Sequence, residues 1–315
     1  MAISYTVDSL VTKLRKAGKL PPHDQGGTAA ALLEKLNDEQ RLYLMTLLAE
    51  TRENFRQAAY DITTVAGTKR YAIPARAVAA GFVAVAFIAN DERRPLTFFS
   101  DSRVNTIQNP TAGDCYLEGN ELVLYEDPGV STLRITYNRR LSELVLVAEA
   151  RAITAINTGT KTITVAASPT SFTGRTAMDL VKGTPHFDTY GIDLACTSIG
   201  AAATTIVFTN TLPTSLAIGD YVALPGETPV CNAPWELHDV LVHKAAHAWL
   251  LERGDPRAGG IAKLLWGEDG TGKSGMESDA MSLLTPRVET NSKPLINFNA
   301  PGWARYRAYS RWPQS

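Results

Sequence analysis

Three groups of residues in this 315-residue chain have types and spacings that chemistry could use. Gly267, Gly272, Lys273 and Ser274 satisfy the P-loop pattern, in which backbone amides cradle phosphates, the lysine reaches the outer phosphates and the hydroxyl meets magnesium. Four constrained positions match by chance in roughly one chain of this length per hundred, so context decides. A P-loop follows a buried strand and opens a helix inside a parallel sheet. Here the preceding run, IAKLLW, has a helical period, and no hydrophobic strand ending in Asp follows to hold magnesium. The chain after Ser274 is short for the rest of such a domain, and Glu268 and Asp269 would set carboxylates beside the phosphates. The expectation is a flexible turn between helices, with nucleotide binding through Lys273 and Ser274 as the rival.

His243 and His247 are four apart, so a helix sets both imidazoles on one face, with Asp239 one turn earlier. That geometry is acceptable to a metal. Lys244, however, stands where a zinc protease carries its glutamate, which disfavours catalysis. These residues form the narrow polar stripe of an otherwise apolar segment, and a solvated or interface stripe is expected, without metal. Cys115, Cys196 and Cys231 are odd in number and widely spaced, which reads as reduced thiols of a cytosolic product. There is no G-x-S-x-G and no Cys with a recognisable His motif. No enzymatic activity and no cofactor are expected.

The bulk numbers bound the setting. A net charge of −1 gives no global field to recruit nucleic acid, so any basic footprint is local. The length suggests two domains, each able to bury a core. The longest apolar run, around Phe82 to Ile88, is too short to span a membrane, and MAISYTVDSL carries no secretory pattern.

The elements that must position these residues follow from periodicity. Val7, Leu10, Val11 and Leu14 make the stripe of a short helix, with Gly18 where a C-cap belongs. Pro21, Pro22, Gly26 and Gly27 form a linker. Asn37 and Gln40 resemble a capping box, with Asp38 and Glu39 in the first turn. The helix so started is expected to reach about Ala59, with Leu44, Leu48 and Phe55 buried. From about Asp61 the period is two. Arg70 to Pro74 reads as a strand. Residues 115–125 read as a hairpin around Gly119-Asn120, of type II′ because Gly comes first. After a turn at Pro128-Gly129, Leu133, Ile135 and Tyr137 alternate as a third antiparallel strand. Residues 148–228 are rich in Thr, Ala and Gly, with short β-branched runs at Thr162 to Val165, Ile206 to Phe208 and Tyr221 to Leu224. Pro234 opens a nearly all-apolar helix from Trp235 to about Arg253, buried against several neighbours, other subunits among them. Two shorter helices are expected near 261–266 and 276–284.

Residues 287–315 differ again. After Glu289 no acid appears, while Arg305, Arg307 and Arg311 interleave with Trp303, Tyr306, Tyr309 and Trp312. Such a segment cannot bury itself alone, and aromatic and arginine side chains are the ones that anchor interfaces. Docking on a partner surface is the expectation, with stacking on single-stranded nucleic acid as the rival. The fold class that results is α+β: a helical bundle core with an antiparallel β meander, an inserted small all-β domain and an extended C-terminal arm. The boundaries are 1–147, 148–228, 229–286 and 287–315.

This layout resembles the head-to-tail connector (adaptor) proteins of tailed bacteriophages, particularly of short-tailed phages. The phrases that carry the resemblance are Gly67 with RYAIP, the stretch CYLEGNELVLYEDPG with LRITYNRRLSEL, and the run from ETPVCNAPWELHDVLVHKAAHAWLLERGD to LLTPRVET and the tail. It covers most of the chain except 148–228. The resemblance implies a ring, commonly a dodecamer, beneath the portal protein, with its helices around the channel that double-stranded DNA crosses without sequence-specific contacts. It implies that the arm, with Arg287, Trp303, Arg305, Tyr306, Arg307, Tyr309, Arg311 and Trp312, docks on the portal, and that the other face receives a tail or nozzle protein. Trp235, Leu237, Val240, Leu241 and Trp249 would belong to the ring-core helix. The implied location is the virion neck, assembled in the bacterial host cytoplasm, with no membrane partner. Another neck or tail virion component is the remaining alternative.

Overall fold

The computed structural model describes residues 6–20, 27–51, 57–89, 92–99, 114–183, 189–268 and 274–284. The chain is α+β, with mostly antiparallel sheets. Its helices are α1 (Val7–Ala17), α2 (Ala29–Glu39), α3 (Met45–Thr51), α4 (His238–Glu252), α5 (Arg257–Trp266) and α6 (Met276–Leu284). They share one core, in which Leu10, Leu14, Leu32, Leu36, Leu241 and Leu265 are buried.

Helix α1 forms as its spacing dictates: Val7, Leu10, Val11 and Leu14 all face the core. Asp8 lies in its first turn and Arg15 and Lys16 in its last, matching the helix dipole. Gly18 is the C-cap but keeps a right-handed backbone. The left-handed residue is the next one, Lys19 (φ +47), and Leu20 N–H donates to Arg15 O at 2.9 Å to close the Schellman turn.

The expected helix start at Asn37 is corrected. Helix α2 begins eight residues earlier, where Thr28 Oγ1 accepts from Ala31 N–H at 3.3 Å. Asn37 lies within that helix and is buried. A π-helical turn, Gln40–Leu44, joins α2 to α3. The expected extension to Ala59 is also corrected, because Gln57–Thr63 is a strand. Ala58 and Ala59 have good helix propensity, but pairing along a whole neighbouring strand overrides it. Leu44 and Leu48 are buried as expected, and Phe55 lies outside the described residues.

Two four-stranded sheets follow. One has the order β1 (Gln57–Thr63), β8 (Thr132–Arg139), β3 (Ala77–Ala89), β4 (Glu92–Pro95). The other has the order β2 (Arg70–Ala72), β7 (Glu121–Leu124), β6 (Asp114–Glu118), β5 (Thr97–Phe99), with β5 and β6 parallel. Side chains of both meet in one core, Tyr71, Cys115 and Leu122 against Val85, Leu133 and Ile135. The hairpin at Gly119 and Asn120 forms as expected, with Gly119 at φ +59. The simple meander does not: β8 pairs with β1 and β3, not with β7. The turn that moves the chain from one sheet to the other is fixed by Asp127, whose carboxylate accepts from Gly67 N–H (2.8 Å) and Gly129 N–H (2.9 Å). Alternation reports which face a strand buries, not which strand it joins.

Strands β10 (Arg151–Asn157), β11 (Thr162–Val165), β12 (Ala177–Val181), β13 (Thr189–Ala195), β14 (Thr205–Val207) and β15 (Tyr221–Ala223) form a third sheet in the order β13-β12-β15-β10-β11-β14. The bridge between Cys196 and Phe208 joins its two ends, with Thr197 N–H on Val207 O and Thr209 N–H on Ala195 O, both at 2.9 Å. The two ends of the sheet thereby meet, and it closes into a small barrel. Its interior is filled by Ile153, Ile163, Phe172, Leu180, Ile206 and Val222.

A two-stranded parallel ribbon, β9 (Glu143–Leu144) and β16 (Glu227–Thr228), runs between these parts. Glu143 N–H and Val145 N–H donate to Gly226 O and Thr228 O. Leu144 therefore turns its amide and carbonyl the other way, toward α2, and the Asn37 side chain meets both: Nδ2 donates to Leu144 O at 2.9 Å and Oδ1 accepts from Leu144 N–H at 2.8 Å. An asparagine amide here stands in for a neighbouring strand. Replacing it leaves two buried backbone groups unpaired. Asn37→Ala is expected to lower unfolding stability by about 3 kcal/mol with an unchanged denaturant slope, measured by urea titration; a loss under about 1 kcal/mol would contradict this role.

Candidate functional site

Helix α4 is the centre of the helical core. A 3₁₀ turn, Trp235–Leu237, leads into it after Pro234. Leu237, Val240, Leu241 and Trp249 are buried within the chain. The helix expected from Trp235 starts at His238, and Trp235 lies in the 3₁₀ turn before it, 56% exposed. The polar stripe is not a solvated one throughout. Asp239 pairs with Lys13 at 2.7 Å on the surface, and His243 Nδ1 lies 2.7 Å from Asp239 O. Farther along, Lys244 Nζ sits 4.8 Å from the Tyr43 ring centre and 4.9 Å from that of Trp266, within cation–π range. His247 meets Trp266 edge-on at 5.1 Å, and burial followed by the charge of Lys244 pushes its pKa down. Tyr43 Oη and Trp266 Nε1 both donate to the Glu277 carboxylate; burial, then that bond, raises the tyrosine pKa. The stripe thus ties α4 to α5, α6 and the π turn. Among the described residues no three His, Cys, Asp or Glu side chains are grouped to hold a metal.

The P-loop-like segment joins two helices. Helix α5 ends at Trp266, Gly267 follows at φ +85, and α6 starts at Met276. Gly275 packs so closely that a Cβ there would lie 2.0 Å from Leu265 O. Residues 269–273, Lys273 among them, lie outside the described residues, as do the arm residues Arg287, Trp303, Arg305, Tyr306, Arg307, Tyr309, Arg311 and Trp312. The three cysteines are buried, with no disulfide among them. Cys231 Sγ lies 3.8 Å from Gln40 Oε1, and burial pushes the Cys196 thiol up. Among the described residues no helix is long and apolar enough to cross a membrane.

The polar groups that sequence reasoning missed gather around the β9–β16 ribbon. Gln40 Nε2 donates to Ser142 O at 2.8 Å, Asn232 Nδ2 to Ser142 Oγ at 3.3 Å, and Thr228 Oγ1 to Val230 O at 2.5 Å. Beside them lies a buried ion pair. Arg76, 12% exposed, grips Asp179, fully buried, through two bonds of 2.6 and 3.0 Å, and reaches Asp193 at 2.8 Å. The amides of Asp193 (2.8 Å) and Gly226 (3.2 Å) complete the shell of Asp179. Burial pushes the Asp179 pKa up, against the lowering effect of Arg76 and the two amides. This pair fastens the β barrel to the segment that enters β3. A cavity of about 410 Å³ opens in the same place, lined by Arg41, Arg76, Arg140 and Glu143 over Met45 and Leu141. No local pattern announces it, because its residues come from four separate stretches of chain.

No protein-family model and no curated protein matches the chain.

Removing Arg76 strands the charge on Asp179. Arg76→Met is expected to cost about 3 kcal/mol, whereas Arg76→Met with Asp179→Asn, which removes the charge but keeps an acceptor for the Asp193 and Gly226 amides, stays within about 1 kcal/mol of the parent. A buried carboxyl with a raised folded pKa is stabilising when protonated and loses that contribution as pH rises through the folded pKa. The single variant therefore recovers toward the parent as the pH falls to about 4, near the ordinary aspartate value. Equal deficits at pH 7 and pH 4 in urea titrations would contradict this.

Proposed function

We propose that this chain is a structural protein of a tailed bacteriophage: a head-to-tail adaptor whose copies form a ring joining the portal to the tail. In this reading the helices are the ring's packed core, the β barrel is an insertion on its outside, and residues 287–315 are the arm that orders on the portal. The observation that carries it is the surplus of apolar surface on the helical part. Leu42, Leu251, Leu264 and Leu283 are 73, 62, 49 and 72% exposed, around an α4 helix in which Val240, Leu241, Val242, Trp249 and Leu250 are already buried. Large aliphatic side chains left open on several helices suit packing against further copies.

The buried polar groups agree with a structural role. Asn37, Gln40, Arg76 and Asp179 are all engaged in tying one element to another. The near-neutral charge of −1 suits a passage for DNA, since strong phosphate contacts would brake sliding. Retention of the packaged genome would follow from the ring being seated on the portal by its arms.

Deleting residues 287–315 is expected to leave a folded protein, with the thermal midpoint of the parent, that no longer co-purifies with its portal. Co-purification that survives the deletion would contradict the docking role. Lys273→Ala is expected to change neither folding nor portal binding; loss of measurable ATP binding in that variant would instead favour the nucleotide reading of the Gly267–Ser274 stretch.

A further inference from the structure

The cavity beside the Arg76–Asp179 pair has a charge pattern that packing does not explain. Arg76 is matched by Asp179 and Asp193. Arg41 and Arg140 line the same cavity, and among the described residues neither side chain has an ion pair or a hydrogen bond. Their positions are nevertheless fixed by their backbones. Arg140 N–H donates to Arg76 O at 2.8 Å, which anchors the chain at Arg140 against the buried ion pair. Arg41 belongs to the π-helical turn, directly after Gln40, whose side chain is held at Ser142 O. A π turn is a less favourable geometry than the α-helix it interrupts and recurs at functional sites. Here it lets Gln40 point into the core while Arg41 faces the cavity. Two cationic side chains are thus brought to one concavity without a carboxylate to match both, since Glu143 is the single acid in its lining.

We propose that this cavity is a binding site for a phosphate group, held between Arg41 and Arg140. A guanidinium presents a fork of parallel N–H donors that one carboxylate already satisfies. Two forks match an oxyanion with three terminal oxygens better than one with two. The volume, about 410 Å³, lies in the range of small-ligand sites, and Met45, Val78 and Leu141 form an apolar wall that an organic body attached to the phosphate can cover. A phosphomonoester fits both features. The phosphodiester of a nucleic-acid backbone also offers charged phosphate oxygens, two in place of three, so the source is a free phosphate compound or a strand of DNA. The site would take this ligand whichever assembly the chain belongs to.

The test is isothermal titration of the full chain, at constant ionic strength, with phenyl phosphate, with inorganic phosphate and with a short single-stranded DNA oligonucleotide. Phenyl phosphate is expected to bind saturably, and Arg41→Gln or Arg140→Gln to weaken it by about tenfold each, the loss typical of a hydrogen bond to a charged group. Both arginines are exposed, so the variants are expected to keep the parent's thermal midpoint. Lys273→Ala is expected to leave binding unchanged, which separates this cavity from the P-loop-like stretch. Binding of the oligonucleotide alone, lost in the same two variants, would assign the phosphate to nucleic acid. Absence of saturable binding for all three probes, or binding that survives the Arg41→Gln/Arg140→Gln double variant, would overturn the proposal.

Discussion

The structure turns on a side-chain amide acting as backbone. Leu144 lies on a two-residue strand, bonded on one side to the ribbon partner Glu227–Thr228 and on the other to Asn37 of α2. Its own side chain is fully buried in the helical core. A strand this short cannot persist alone, and a helix offers no free backbone groups along its side to complete it. Asn37 resolves both problems with one donor and one acceptor. The ribbon in turn leads to Pro229, whose carbonyl receives Val7 N–H at the start of α1, and to the 3₁₀ turn before α4. The entry into the sheets, the barrel and the last helices all pass through the neighbourhood this amide holds.

The barrel is attached by a different kind of interaction. Arg76 and Asp179 form a buried ion pair, a choice that adds little net stability over an apolar contact of equal volume but tolerates only one arrangement. With Asp193 and Gly226 also bonded to Asp179 or its partner, the pair sets where the barrel's β12 lies relative to the strand-entry segment. Orientation, not affinity, is what such a network supplies. The same crossing of chain segments leaves the cavity that Arg41 and Arg140 line, so attachment and recess have a common origin in the topology.

Much of the fold was legible because it is local. The Val7, Leu10, Val11, Leu14 stripe, the Gly119-Asn120 turn and the Thr162 to Val165 run each encode their element in adjacent residues. The failures were failures of partner. Asn37 looks like a helix start because asparagine caps helices, and its buried use depends on Leu144, far along the chain. The better start, Thr28 before a run of alanines and leucines, carries no acidic residue in its first turn. Gln57, Ala58 and Ala59 look like a helix continuation until β8 pairs with the strand they open. Lys244 and His247 read as a solvated or interface stripe because the rings that they meet, Tyr43 and Trp266, come from other elements. The arginines of the cavity had no signal at all, since only the folded topology gathers them.

We propose that the helical part packs against copies of itself and is seated on a larger partner. Exposed leucines on several helices, and the acid-free, aromatic composition of the sequence after Glu289, both suit contact with other chains. The direct test is negative-stain electron microscopy of what the tagged full-length protein draws from phage-infected cells. The account predicts ring-shaped particles carrying a second, portal-sized ring. Single small particles without a partner would contradict it.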